Sequence, residues 1–541
     1  MTGRREKNVK NRFWFLGGAF LYCAAVLGLV GCAQAQNRPD GEKSGEETAE
    51  KQAALRIFDK NVRVAFEDDI AQAIMEKTDL HIEVLDATDN PDEQIDLMLA
   101  YHSYPDMILT GLDDIGRYRD SGCLVDISGY VEREGSNVRE MYGDMLNLLR
   151  EPDGKLYYLS NWYGEDRDAV SAFHIRYDYL VSLVGKERAD SDEPFTQEEF
   201  LALLRQFREK YPQIDGEDSI PFTVNLKYEY NNSFRGMYGM KLYYEEDGRL
   251  YHLIRHPQYL NMMGFMNTMY REGLMNKSWV VSNAQLFEKN VKSGRVFTTA
   301  CAYWDLREVN RYLQSTYGED AVMLGYKVLG EGIDETETTY GGRNSLGWDA
   351  IAITDNCKNV ESAMKLVEFL AGEEGQYLMQ WGIEGKHWSL QGGIHQPSAE
   401  VLDMLEEGSL LEKTAIRRWT WFVKNGCGSD GTPYYLAERY LPGLEAQVSN
   451  RNMKYDYWDM APYSGLEPER DSREAQNWKN VEDILERAYP KMVNASSREE
   501  LEQIYENTIE DMEAAGLAEV EDVITDRYRK RMIQWNEAEV E

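Results

Sequence analysis

The sequence predicts an α/β protein that is exported from the cell. Three observations favour this class. A basic and then apolar segment opens the chain, short apolar strands alternate with helical stretches, and no internal repeat or second long apolar run appears. Typical domain lengths would predict about three domains for the roughly 490 residues after the N-terminal segment. The continuous alternation of strands and helices favours one compact unit instead.

Strand and helix signals alternate clearly from residue 69 to residue 109. A helical stretch at 69–77 precedes alternating apolar residues at 80–84, which predict a half-buried strand. A helix at 93–101 and a strand at 107–109 follow. A strand, a helix and a strand in that order predict a parallel pair joined by a right-handed crossover. The stretch after Gln52, by contrast, shows no long first strand.

Similar signals continue along the chain. Thr196 and Glu199 predict a capped helix start, and Gly273 predicts the stop of a helix that begins near Pro257. A strand at 348–354 and a helix at 362–370 are predicted next. Residues 401–541 are rich in helix formers and aromatic residues, and we expect them to wrap back onto the earlier elements.

The N-terminus has the pattern of an export signal. Basic residues up to Arg12 precede an apolar run at 13–31, and Leu29-Val30-Gly31-Cys32 resembles the bacterial lipobox, which makes Cys32 the predicted acylation site. We therefore expect a signal peptide at 1–31 and, because residues 32–51 lack aromatic side chains, a flexible tether there. A single transmembrane anchor is the alternative. Both interpretations leave most of the chain outside the membrane.

Charge and cysteine content narrow the partners. The net charge is −36 and the pI is about 4.7, so the surface should repel nucleic acid. After Cys32, the cysteines are Cys123, Cys301, Cys357 and Cys427, without metal-like spacing. Free thiols are expected, and up to two disulfides remain possible with no pairing selected.

Several segments in order resemble the extracellular solute-binding proteins that feed carbohydrate ABC importers of Gram-positive bacteria. The segments that carry the resemblance are Ile95–Ala100 with Tyr104–Ile108, Asp153–Leu159, Ile175–Leu180, Ala350–Thr354, Ala363–Leu366, Glu373–Gln376 and Gly382–Trp388. The similarity covers most of residues 55–390. The aromatic stretch from Trp419 to Tyr463 has no aligned counterpart.

The resemblance implies a type II periplasmic-binding-protein fold, with two α/β lobes joined by crossing hinge strands. The first lobe would comprise 52–165 and 341–400, and the second 166–340 and 401–541. The implied function is capture of a sugar or oligosaccharide by a monomeric lipoprotein on the extracellular face of the cell membrane, for delivery to ABC permease subunits. No cofactor, metal, catalytic residue or nucleic acid is implied.

A sugar site needs aromatic rings for C–H faces and planar polar groups for hydroxyls, and the chain holds 12 Trp and 35 Tyr. Where the resemblance puts the cleft, loop residues supply both kinds of group, and Ser103 and Tyr104 are expected at the carboxyl edge of the sheet. The candidates are Ser103, Tyr104, Asn161, Trp162, Tyr163, Asp166, Trp304, Asp305, Trp348 and Asp349. For each tryptophan, the alternative is a lid on the core of its own lobe, and Asp349 could instead cap a turn.

Two other functions remain open from the sequence. A surface glycoside hydrolase would need two carboxylates about 5 to 10 Å apart, and 95 acidic residues cannot exclude such a pair. A peptide-binding lipoprotein would need a cleft that pairs with backbone groups. The sequence contains no HExxH, GxxxxGK[ST] or GxSxG motif, so a binding protein is favoured over an enzyme.

The lipobox predicts a specific modification. In the mature protein Cys32 should carry a diacylglyceryl group, because its sulfur is the acylation point, and Cys32→Ala should leave the protein uncleaved or released. Mass spectrometry of the mature N-terminus checks this prediction. An unmodified Cys32 in the mature wild-type protein would contradict it.

Overall fold

The computed structural model describes residues 53–151, 153–168, 171–226, 230–436, 440, 442–469 and 472–538. The predicted signal peptide at 1–31, the acylation site Cys32 and the tether at 32–51 lie outside the described residues. Within the described ranges, no helix is both long and apolar enough to cross a membrane.

The first part of the chain forms four strands and six helices. In order these are β1 (Ala53–Asp59), α1 (Asp69–Thr78), β2 (Leu80–Leu85), α2 (Pro91–Ala100), β3 (Met107–Gly111), α3 (Leu112–Asp120), α4 (Ser128–Glu134), α5 (Ser136–Tyr142), α6 (Met145–Leu149) and β4 (Tyr158–Asn161).

The second part contains all four strands of the second sheet. Its elements are β5 (Ala172–Arg176), α7 (Tyr177–Val184), α8 (Lys186–Asp190), β6 (Phe195–Thr196), α9 (Gln197–Lys210), β7 (Gln213–Ile214), β8 (Glu217–Asp218), β9 (Ile220–Thr223), α10 (Tyr230–Met237), β10 (Tyr244–Glu246), β11 (Arg249–Tyr251), α11 (Tyr259–Arg271), α12 (Ala284–Lys292), β12 (Val296–Cys301), α13 (Arg307–Tyr317), β13 (Met323–Tyr326) and β14 (Val328–Leu329). Short 3₁₀ helices lie at Leu253–Arg255, Trp279–Val281 and Tyr303–Leu306.

The remaining elements return to both sheets and end in long helices. They are β15 (Gly341–Arg343), β16 (Asp349–Ile353), α14 (Val360–Ala371), α15 (Glu373–Trp381), β17 (Trp388–Gln391), β18 (Ile394–Pro397), α16 (Ala399–Glu407), α17 (Leu410–Thr414), α18 (Leu444–Asn452), β19 (Tyr457–Asp459), α19 (Arg473–Val493), α20 (Arg498–Ala514) and α21 (Leu517–Ala538). Two more 3₁₀ helices lie at Glu335–Glu337 and Ala461–Tyr463.

The first sheet has the order β2-β1-β3-β16-β4. Strand β1 is parallel to β2 and β3, and β16 is antiparallel to β3 and β4. Two expectations are therefore wrong. A long first strand exists, and it buries Leu55, Ile57 and Phe58 around the exposed Arg56. The strands β2 and β3 are parallel, as expected, but they do not pair directly, because β1 lies between them.

The second sheet has the order β13-β5-β12-β9. Strand β5 is antiparallel to β12 and β13, whereas β9 is parallel to β12. Helix α9 packs its apolar face on this sheet and begins with the expected capping box between Thr196 and Glu199. The two sheets have separate hydrophobic cores, so the chain forms two α/β lobes, as expected.

The chain passes between the lobes three times. It leaves the first lobe after β4, returns after β15 and leaves again before α18, which packs on β13. Strands β15 and β19 pair in parallel along this connection. The hinge is thus built from several chain segments, which matches the expected crossing strands.

The expected lobe boundary at residue 400 needs correction. Trp419, Trp421 and Phe422 are buried in the core of the first lobe, whereas α18 to α21 contribute to cores of the second. The indole N–H of Trp421 donates to Asp59 at 2.8 Å, and that of Trp419 donates to Asp68 at 2.9 Å. These carboxylates satisfy the buried indoles, so residues 401–436 belong with the first lobe.

The four described cysteines are free thiols. Cys123, Cys301 and Cys357 are buried, and Cys427 is exposed. Of the two possibilities that the sequence left open, the structure therefore has free thiols rather than disulfides.

Candidate functional site: an aromatic platform in the cleft between the lobes

A cleft of about 2210 Å³ lies between the two lobes. The first lobe lines it with residues 111–114, at the carboxyl end of β3, and with Trp348, which precedes β16. The second lobe contributes Asn231 and Arg235 of α10 and Tyr489 of α19. The carboxyl ends of β1, β3 and β4 meet at this edge of the first sheet, where ligands of open α/β sheets bind.

Two of the candidate tryptophans stack on each other at this edge. The Trp162 and Trp348 rings are 5.2 Å apart between centroids and nearly parallel, with an angle of 13°. Tyr435 approaches Trp162 to 5.7 Å at a tilted angle. Trp348 is 54 % exposed and lines the cleft. We call these three rings the aromatic platform.

The backbone explains why the platform forms. Trp162 has a φ of +61°, a left-handed conformation that costs a bulky residue on the order of 1 to 3 kcal/mol. Asn425 stabilises it by donating to the carbonyls of Trp162 and Gly164, both at 3.1 Å. Gly347 has a φ of +77°, and a Cβ there would lie 1.9 Å from the carbonyl oxygen of Asn161. Only glycine lets the Trp348 loop lie so close to Trp162.

Trp304 occupies the 3₁₀ helix that follows β12 and is 36 % exposed. Its ring meets Tyr303 edge-on at 5.0 Å, and the guanidinium of Arg343 lies 5.2 Å from its centroid. Arg343 also forms an ion pair with Asp166 at 2.7 Å. Asp305 accepts the backbone N–H of Ala302 at 3.2 Å and so caps this turn.

Of the ten predicted residues, Trp348 alone is among the residues that line the cleft. Asn161 is buried, and its amide bonds the carbonyl of Thr420 at 2.9 Å and the N–H of Val423 at 2.7 Å. Tyr163 is buried and stacks on Tyr142 at 3.8 Å. Both side chains hold the first lobe together, because their polar or apolar surfaces are already covered by protein.

The expected position of Ser103 and Tyr104 is wrong. Both precede β3, so they lie at the amino end of that strand, opposite the edge where Gly111 lines the cleft. Tyr104 is buried and donates to Asp355 at 2.7 Å. We therefore remove both from the candidate site.

Asp349 belongs to a charged cluster that the sequence did not reveal. Its carboxylate lies 2.9 Å from the Lys60 ammonium and accepts from the Asn61 amide at 3.2 Å. Burial raises the pKa of neighbouring Asp59 to about 6, against the hydrogen bond from Trp421, and the Asp349 charge adds to the rise. Lys60 and Asn61 follow β1. Because that strand was not predicted, the sequence did not place them at this edge of the sheet.

Tyr435 was also missed, because it lies in the aromatic stretch for which no counterpart was aligned. Nothing in its local sequence marks it as a platform residue. Among the residues that the structure describes, no group of three or more His, Cys, Asp or Glu side chains is placed to hold a metal ion.

A family model described as "Bacterial extracellular solute-binding protein" matches residues 69–383. A search of curated protein sequences found no match. The match to the family model confirms the family to which the sequence was assigned by resemblance.

Solved structures similar to this chain include three binding proteins. The alginate-binding protein AlgQ2 without calcium ion is 18 % identical, with a TM-score of 0.65, over 89 % of this chain and 99 % of that one. An HMO-binding ABC-transporter-associated protein from Bifidobacterium longum infantis is 14 % identical, with a TM-score of 0.67, over 88 % and 98 %. FusA of S. pneumoniae in complex with kestose is 15 % identical, with a TM-score of 0.63, over 89 % and 99 %. These similarities confirm the two-lobe fold.

The close approach at Gly347 makes a prediction about the platform. The free energy of unfolding of Gly347→Ala should be at least about 1 kcal/mol lower than that of the wild type, because the added methyl group collides with Asn161. The variant should also lose the near-ultraviolet circular dichroism of the stacked indoles. Chemical denaturation and circular dichroism measure the two effects.

Gly332→Ala is the matched control, because Gly332 has a φ of +76° but no atom within 4 Å of an added Cβ. It should lose only the stability that a non-glycine residue loses in a left-handed conformation, and it should keep the near-ultraviolet circular dichroism of the indoles. Equal losses of stability in both variants, with the indole signal retained, would contradict the proposed role of Gly347.

Proposed function

The chain belongs to the bacterial extracellular solute-binding protein family, and we propose that it captures a saccharide in the cleft and delivers it to an ABC importer. One observation carries the proposal. The aromatic platform presents the exposed Trp348 ring to a large cleft bordered by both lobes. Flat aromatic faces suit the C–H patches of a sugar ring.

The relatives support this choice of ligand. Their names describe binding of alginate, HMO and kestose, and all three share the fold of this chain. Together with the tryptophan stack, they favour a saccharide over a peptide. A peptide cleft would rely on groups that pair with an extended backbone.

Delivery would use closure of the lobes around the ligand. A ligand held by Trp348 on one side and by α10 or α19 on the other contacts both lobes only when the cleft is closed, so it stabilises the closed state by its differential affinity. The permease subunits of the importer would recognise that state. The ligand leaves chemically unaltered, which distinguishes this function from that of a glycoside hydrolase.

Membrane attachment completes the proposal. Two acyl chains on Cys32 would hold the protein on the extracellular face of the membrane, because single-chain anchoring is marginal. The tether at 32–51 would let a monomeric binding unit reach the importer. This part rests on the lipobox and on the composition of the tether.

The platform predicts how binding depends on Trp348. Trp348→Ala should weaken saccharide binding about tenfold, or about 1.4 kcal/mol, because the exposed face of the stack is lost. A thermal-shift screen of mono- and oligosaccharides finds the ligand, and isothermal titration calorimetry measures the affinity.

Tyr312→Ala is the control, since Tyr312 is an exposed aromatic residue on α13 that does not line the cleft. It should bind like the wild type. Unchanged affinity in Trp348→Ala would remove the platform from the site. New products after incubation with the ligand would contradict the binding function in favour of hydrolysis.

A further inference from the structure

Two cations near the candidate tryptophans, neither of which lines the cleft, are compensated within the protein. The Lys60 ammonium is held 2.9 Å from the Asp349 carboxylate, directly after Trp348 in the sequence. The Arg343 guanidinium beside Trp304 is held 2.7 Å from Asp166. Neither cation is therefore free to bind a ligand carboxylate.

The arginines of the first-lobe wall are engaged in the same way. Arg117 lies between Asp96 and Asp114, at 2.9 Å from the latter. Arg119 lies between Asp120 and Glu151, at 2.8 Å from Asp120. Each of these guanidiniums faces two carboxylates, so this wall carries excess negative charge.

The second-lobe wall uses its arginines to bind the protein itself. Arg527 bonds the carbonyl of Glu467 at 2.6 Å and the carboxylate of Glu469 at 3.2 Å. Arg531 donates to three backbone carbonyls, those of residues 461, 462 and 464. Both side chains therefore shape the wall instead of presenting a fork to a ligand anion.

The lining of the cleft has more carboxylates than cationic side chains. The cleft is lined by nine carboxylates and seven Lys or Arg side chains. Asp113 and Glu467 are exposed in this lining, and neither forms an ion pair with a described residue. The net charge of −36 adds a field of the same sign, which steers anions away.

We infer that the cleft selects uncharged saccharides and discriminates against saccharides that bear carboxylates. The inference rests on the proposed function and names the class of its ligand. A uronic acid differs from its parent hexose by a carboxylate in place of a hydroxymethyl group at C6. That carboxylate would lose hydration and face a lining in which carboxylates outnumber cations and Arg117, Arg119 and Arg527 already bind carboxylates, whereas hydroxyl groups can bond the same side chains at little cost.

The test compares each ligand with its own oxidised form. A panel of neutral hexose di- to pentasaccharides and the C6-oxidised counterpart of each member are titrated by calorimetry into the full-length protein at 20 and 300 mM NaCl. We expect each oxidised saccharide to bind at least tenfold more weakly than its neutral parent. This difference in affinity between a neutral saccharide and its oxidised form, the affinity gap, should be smaller at 300 mM NaCl, because salt screens the exposed charges.

Two variants separate charge from shape. Asp113→Asn with Glu467→Gln should narrow the difference in affinity between neutral and oxidised saccharides to about threefold, because it removes two exposed, unpaired negative charges of the lining while keeping the size of both side chains. Asp403→Asn with Glu406→Gln removes two exposed charges from α16, outside the cleft, and should leave the gap unchanged.

The possible outcomes separate selectivity for uncharged saccharides from saccharide capture itself. An oxidised saccharide that binds as tightly as its parent, or more tightly, overturns the inference and leaves saccharide capture standing. A gap that is insensitive to salt and to the Asp113 and Glu467 substitutions also overturns it, because steric exclusion then explains the selectivity. No binding in either arm contradicts saccharide capture, and the inference with it.

Discussion

The close approach of Gly347 to the backbone of Asn161 is the constraint on which the site depends. It joins the segment that leaves the first lobe to the segment that returns to it, at the point where β16 pairs with β4. The same approach brings Trp348 onto Trp162, so hinge geometry and platform geometry are set by one contact. A ligand on the platform therefore rests beside the segments that must move when the lobes close.

The aromatic segment from 419 to 436 stabilises this arrangement through hydrogen bonds within the first lobe. Its indoles are satisfied by Asp59 and Asp68, and its backbone is fixed by the Asn161 amide. Asn425 then holds the left-handed Trp162. The strained backbone of the platform is thus offset by buried hydrogen bonds within the first lobe, which is how such a conformation persists in a folded protein.

Much of the fold could be predicted from the sequence, because apolar periodicity and capping residues are local signals. The strands β2 and β3, the helices α1 and α14 and the capping box of α9 all follow from such signals. Strand β1 was missed, although Leu55, Ile57 and Phe58 are buried and the strand lies between β2 and β3 in the sheet. Residues 401–436 were assigned to the wrong lobe, because their position depends on which core accepts Trp419 and Trp421, and local sequence does not encode that choice.

The site shows the same division between local and long-range information. Trp162 and Trp348 were predicted as ligand residues because loop tryptophans beside crossing segments suit a sugar cleft, and their stacking is consistent with that prediction without testing it. Tyr435 and Lys60 were missed because only tertiary packing brings them to the same edge, and Asn161 and Tyr163 were misjudged because burial uses up their side chains. Adjacency to a site in sequence does not determine which way a side chain points.

We propose that the two lobes close on a saccharide that they do not alter. Small-angle X-ray scattering of the protein with and without a saturating saccharide tests it most directly. We predict that the radius of gyration falls when the ligand is bound, since closure brings the lobes together. An unchanged radius of gyration at calorimetrically verified saturation would contradict it.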